Sequence, residues 1–173
     1  RWNADWALVL DPTERIVQQQ WDYLAPINVY AMNVNSGERR HVGVLPKESA
    51  EISPCGKFIV WYEDRNYFAY EIATGKTVCM TVNFPHPVWD EDQDVPMQRM
   101  PYGTMGWMED DRALLIYDRH DIWQLDPTGQ TQAVCITAGE GRKTNRRFTY
   151  INTDSEKRFI NAGDEVLLRV FDY

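Results

Sequence analysis

The chain has 173 residues, 43% hydrophobic and 25% charged, a globular composition with room for one good core but not obviously for two domains. Its formal net charge of −8 argues against a nucleic-acid or anionic-membrane partner, since both require a positive surface. No apolar run approaches the roughly 18–20 residues of a membrane-spanning helix, and no secretory leader is recognisable.

In chain order, the first expected strand is Trp6–Leu10. Asp11-Pro12 then introduces the one plausible helical stretch, Thr13 to Tyr23, rich in Gln. Further strands are expected at Ile27–Val34, Phe58–Tyr62, Tyr67–Ile72, Thr77–Val82, Ala113–Tyr117, Ile122–Leu125, Ala133–Thr137, Phe148–Asn152, Arg158–Asn161 and Val166–Phe171. All are short runs bounded by Gly, Pro, Asn or Asp. Aromatics make up 13% of the chain, which suits strands better than helices.

Part of this pattern is written twice. Ser53-Pro54-Cys55-Gly56-Lys57 leads into Phe58–Tyr62, then Asp64-Arg65, then an aromatic strand ending at Thr74-Gly75. Glu109-Asp110-Asp111 leads into Ala113–Tyr117, then Asp118-Arg119, then Ile122-Trp123 and the turn Thr128-Gly129. Each copy reads polar turn, strand, charged turn, strand, Thr-Gly turn, strand. That is one four-stranded blade of a β-propeller. Gly37, Gly75 and Gly129 follow aromatic-rich strands, and each is expected to hold positive φ in a hairpin. They lie 38 and 54 residues apart. A blade takes about 40–50 residues, so the longer interval holds a blade plus a loop.

The fold expected is therefore all-β: a propeller arc of about three blades and part of a fourth. The blades run over residues 1–44, 48–82, 101–137 and, incompletely, 147–173, with an inter-blade loop at 83–100. Such an arc does not close, and the chain opens on Arg1, so it reads as a fragment of a larger propeller. Trp6–Leu10 and Val166–Phe171 are then docking strands for other parts of the parent chain.

The stretch Pro101–Trp107, followed by Glu109-Asp110-Asp111 and by Ile116–Asp126, resembles the amino-terminal propeller of prolyl oligopeptidase family serine peptidases, the dipeptidyl peptidase IV-like group among them. Tyr62–Tyr67 and Gly139–Lys143 fit the same pattern, and the likeness covers most of residues 49–171. It implies a seven- or eight-bladed propeller capping an α/β-hydrolase domain outside this chain. It also implies peptide substrates admitted by the propeller, and a periplasmic or secreted location. Cys55 stands where Asp is more usual, and nothing matches the paired glutamates with which dipeptidyl peptidases hold a substrate amino terminus. The Ser-Pro-x-Gly-Lys turn is also shared with TolB-like propellers. A propeller that binds a protein partner, with no enzyme attached, is thus the alternative reading, and a four-bladed lectin-like module is a third.

No catalytic residue is assigned. Ser36, Ser49, Ser53 and Ser155 all lack the Gly-x-Ser-x-Gly surroundings of a hydrolase nucleophile. His41, His86 and His120 lack the partner pattern of a general base, and His120, in a turn, is expected at the surface. No metal or other cofactor is expected. Cys55, Cys79 and Cys135 lack zinc-ligand spacing and read as small buried or half-exposed thiols. Asp90, Asp92 and Asp94 alternate like calcium ligands, but Val95 occupies the position that needs Gly, which leaves a solvated or interdomain acidic loop. Arg142-Lys143 and Arg146-Arg147 read as a solvated loop or local ion pairs. The repeated Asp-Arg pairs read as an Asp that stabilises a turn and an Arg packed across the blade. Tyr102 and Trp107 precede or lie on the strand expected to be innermost. They are either substrate-facing aromatics or core packing between blades.

Overall fold

The computed structural model describes residues 4–22, 25–47 and 49–173. Four sheets follow one another along the chain. The first is antiparallel, with β1 (Trp6–Asp11), β2 (Ile27–Asn33) and β3 (Arg39–Leu45) in that order. The second is an antiparallel meander of β4 (Ala50–Ile52), β5 (Phe58–Glu63), β6 (Asn66–Glu71) and β7 (Lys76–Cys79).

The third repeats that meander with β8 (Thr104–Met108), β9 (Leu114–Tyr117), β10 (Ile122–Leu125) and β11 (Val134–Cys135). A short helix, α1 (Glu140–Thr144), comes next. The last strands are β12 (Arg146–Tyr150), β13 (Phe159–Ile160) and β14 (Leu168–Asp172). β12 pairs with β14, while β13 leaves that unit and lies parallel to β8 in the third sheet. The architecture is a β-rich domain of successive antiparallel sheets with little helix.

The second sheet is buried on both faces, which its alternation explains. Phe58, Val60, Tyr62, Tyr67 and Ala69 meet Trp107, Leu114, Ile116, Trp123 and Leu125 of the third sheet. The intervening Ile59, Trp61, Tyr70 and Ile72 meet Ile27, Val29 and Ala31 of the first. Repetition extends to the hydrogen bonds. The Tyr67 amide donates to Thr81 Oγ1 (2.9 Å), and the Ile122 amide donates to Thr137 Oγ1 (3.2 Å). Gly37, Gly75 and Gly129 all hold positive φ, at 74°, 74° and 68°.

Several expectations are corrected. Thr13 to Tyr23 is not a helix: it forms two single-turn 3-10 segments, Thr13–Arg15 and Gln18–Gln20, and Tyr23 lies outside the described residues. Neither turn buries a residue, and Ile16 and Val17 are exposed, so no apolar face holds a longer helix together. Three strands were not expected, namely β3, β4 and β8. β8 contains Gly106 at φ 148° and a register shift between Thr104 and Gly106, and it exists because β9 and β13 pair with it on either side.

Arg158–Asn161 belongs with the third sheet rather than with a fourth unit. Of the two readings of the basic cluster, the structure shows local ion pairs. Arg142 and Lys143 lie in α1, Arg142 ion-pairs with Asp118 (2.9 Å), and Arg146, at the start of β12, ion-pairs with Asp172 (2.6 Å). At the carboxyl-terminal end, Val170 and Phe171 are exposed, while β1 forms an edge of the first sheet.

Candidate functional site

Two buried carboxylates tie the repeats together. Asp111, fully buried, accepts the Ser53 hydroxyl (2.5 Å) and the Cys55 amide (3.0 Å), so the turn joining β8 to β9 caps the turn joining β4 to β5. Asp118 is equally enclosed. It accepts the amides of His120 (2.7 Å) and Asp121 (2.6 Å), the Trp123 indole (3.1 Å) and an Arg142 N–H (2.9 Å).

The two Asp-Arg pairs share a place in the repeat but not a geometry. Asp64 and Arg65 both have positive φ in a two-residue hairpin, and Arg65 lies over Trp89 at 5.3 Å. Asp118 instead opens a four-residue loop, and Arg119 pairs with Asp92 of the acidic run (2.9 Å). His120 is buried rather than superficial, its Nδ1 set against the Arg146 carbonyl at 2.9 Å.

A cavity of about 340 Å3 opens between the start of β4, the β5–β6 hairpin, the segment 98–101 and the start of β8. The ladder dictates its chemistry. Glu51 stands opposite Val60 and shares that residue's face of the sheet, as do Tyr62 and Tyr67 across the hairpin. The Glu51 side chain keeps exposed surface, yet the concave wall surrounds it closely. Burial therefore pushes its carboxyl above the ordinary range, and the Trp107 indole offsets part of that rise without reaching hydrogen-bond geometry. Burial likewise pushes the Tyr62 phenol up to about 12, and its hydroxyl donates to the Arg99 carbonyl at 2.9 Å. Tyr67 is 4% exposed and lines this cavity, while its buried hydroxyl has no partner in hydrogen-bond geometry. Burial raises its phenol further, with Tyr62 and Glu51 adding to the effect.

Neither aromatic expected at the site lines this cavity, although both lie near it. Trp107 is 5% exposed in the core, stacked on Phe58 with ring centroids 6.3 Å apart, so core packing describes it. Tyr102 is half-buried; its hydroxyl accepts the Glu91 amide (3.1 Å) and Arg147 lies over its ring at 5.4 Å. It thereby fastens the acidic loop, whose carbonyls at Asp90 (3.2 Å), Glu91 (3.3 Å) and Gln93 surround the Arg99 guanidinium.

The residues that sequence reasoning passed over are Glu51, Tyr62, Tyr67 and Arg99. Two tyrosines flanking Asp64-Arg65 was the available signal, since a two-residue hairpin sets such a pair opposite one another.

The serines are placed as follows. Ser49 donates to the Pro46 carbonyl (2.7 Å), Ser53 is committed to Asp111, and Ser36 and Ser155 sit at exposed turns. Among the described residues no group of three or more His, Cys, Asp or Glu is placed to hold a metal ion. The three cysteines are free and half-buried. No described helix is long and apolar enough to cross a membrane.

Comparison with known proteins finds likeness among solved structures. No family model and no curated protein matches the sequence. Among solved structures, TolB from Acinetobacter baumannii is similar at a TM-score of 0.38 and 13% identity, over 85% of this chain. The chain spans 35% of that protein's length.

Proposed function

We propose that this chain is the propeller part of a prolyl oligopeptidase-type serine peptidase that works in the periplasm or outside the cell. In this reading its sheets are consecutive blades that admit peptides to an α/β-hydrolase domain elsewhere in the parent protein. The chain itself does no chemistry. The observation that carries the proposal is the pair of equivalent meanders, β4–β7 and β8–β11, with an amphipathic cavity opening between their first strands. In a propeller the first strands line the central passage, so the Glu51–Tyr67 cavity would face the route a peptide takes. The resemblance of Pro101–Asp126 to the peptidase propellers supplies the rest of the support.

Acyl transfer would then use a serine in a Gly-x-Ser-x-Gly elbow outside these residues, with the propeller excluding folded proteins by size. The test is made on the full-length parent protein. Fluorophosphonate should label one serine outside residues 1–173, and the protein should cleave oligopeptides while sparing folded substrates. A full-length product with no labelled serine and no Gly-x-Ser-x-Gly elbow would overturn the reading.

A further inference from the structure

The edge of β4 differs from its counterpart in the next sheet. The Ser53 amide donates to the Phe58 carbonyl (2.9 Å), and the Met108 amide donates to the Ala113 carbonyl (2.9 Å). These bonds place the two ladders in the same phase. Backbone groups along an antiparallel strand alternate between facing the partner and facing away. Glu51, two residues before Ser53, therefore bonds β5, and Ala50 and Ile52 point their N–H and C=O groups away from it. By the same count Trp107 of β8 points away from β9, and there β13 pairs with it, Phe159 opposite Trp107. Among the described residues no strand pairs with the outer edge of β4.

A second, independent observation lies beside that edge. Tyr67, 4% exposed, lines the cavity with its hydroxyl buried beneath the wall and without a partner in hydrogen-bond geometry, and the Glu51 side chain lies on the same wall. We propose that the open edge of β4 binds an extended peptide by strand addition, with a Lys or Arg of that peptide directly across from Glu51. Cross-strand neighbours share a face, so a cation at that position reaches the Glu51 carboxylate, and opposite charges so placed attract. The cavity holds the aliphatic stem against Val60 and Met100. Residues before and after the cation point to the other face, beside Ala50 and Ile52, where apolar side chains pack. The motif recognised is therefore apolar–basic–apolar. The chain's net charge of −8 favours the same partners over long range.

This inference rests on the peptide-handling reading above but is tested apart from it. The probe is a fluorescein-labelled, C-terminally amidated Thr-Val-Lys-Val-Thr peptide, followed by anisotropy against the intact chain, with hydrogen exchange read at single amides. Binding at micromolar concentration is expected, with new protection at Ala50 and Ile52. Glu51→Gln, or Glu in place of Lys in the peptide, should weaken binding by about tenfold or more. Ala50→Pro, which removes one outward N–H at an edge where proline is tolerated, should also weaken it. Glu156→Gln, in a remote exposed turn, should change nothing.

Absence of binding, equal binding of the Lys and Glu peptides, or no protection at Ala50 and Ile52 would overturn the site. Should Glu51→Gln fold poorly, the Lys-to-Glu exchange in the peptide decides alone. Charge-dependent binding by a chain whose parent lacks a hydrolase serine would keep the site and remove only the gating role.

Discussion

Replacing Asp111 with Ala tests whether the repeats are locked by their turns. The carboxylate accepts a hydroxyl from Ser53, which is 1% exposed, an amide from Cys55 at 3.0 Å and a longer one from Lys57 at 3.3 Å. The Lys57 amide keeps a second acceptor, Ser53 Oγ at 3.1 Å, so it loses little. Two charge-assisted bonds remain to be counted, each worth about 1.5 kcal/mol or more when the buried donor finds no substitute. The expected loss is about 3 kcal/mol, measured by urea denaturation. For a domain of this length it corresponds to a fall in melting temperature of roughly 6–12 °C. Asp111→Asn keeps an acceptor oxygen and a side chain that tolerates the φ of 57°, and should cost only about 1 kcal/mol. A double-mutant cycle with Ser53→Ala should return a coupling of about 1 kcal/mol or more. If Asp111→Ala stayed within about 0.5 kcal/mol of the parent, the cross-repeat cap would not be a stabilising element.

Three further changes follow from the same geometry. A Cβ on Gly141 would stand 2.5 Å from the His120 carbonyl oxygen, so Gly141→Ala should lose on the order of 2–3 kcal/mol; an unchanged melt would refute the packing of α1 on the Asp118 loop. Gly129→Val and Gly75→Val force a β-branched residue to positive φ and should each cost about 1–3 kcal/mol by thermal melt, with no loss counting against the hairpin at that position. Glu51→Gln should stabilise the chain at neutral pH. Burial raises the folded carboxyl above its ordinary value of 4.5, so ionisation works against the folded state as pH rises through that range. The advantage of Gln should shrink as pH falls below the ordinary value, and melts of equal difference at pH 3 and pH 7 would contradict the assignment.

The repeat was readable residue by residue, because each sheet is a local meander whose turns announce themselves. Positive φ at Gly37, Gly75 and Gly129 is a chemical requirement of tight hairpins, and Ile122–Leu125 is a strand with the ends expected of it. The unbroken apolar run Phe58–Tyr62 also dictates a strand buried on both faces. What local pattern could not supply is pairing between distant segments. β8 looks like a glycine-rich loop until β9 and β13 flank it, and β13 is only two residues long, so nothing in Phe159-Ile160 points to a partner some fifty positions earlier.

The same holds for the site. Tyr102 and Trp107 stood out as aromatics beside a strand, but how far a side chain is covered depends on what the adjacent sheet brings, and Phe58 covers Trp107. Glu51 carries no motif at all. Its position follows from a three-residue strand held in one register by β5, and its raised carboxyl follows from the burial that the assembled wall imposes, with the Trp107 indole opposing it. Strand character is written in neighbouring residues, whereas burial, desolvation and an open edge are properties of the assembled sheets.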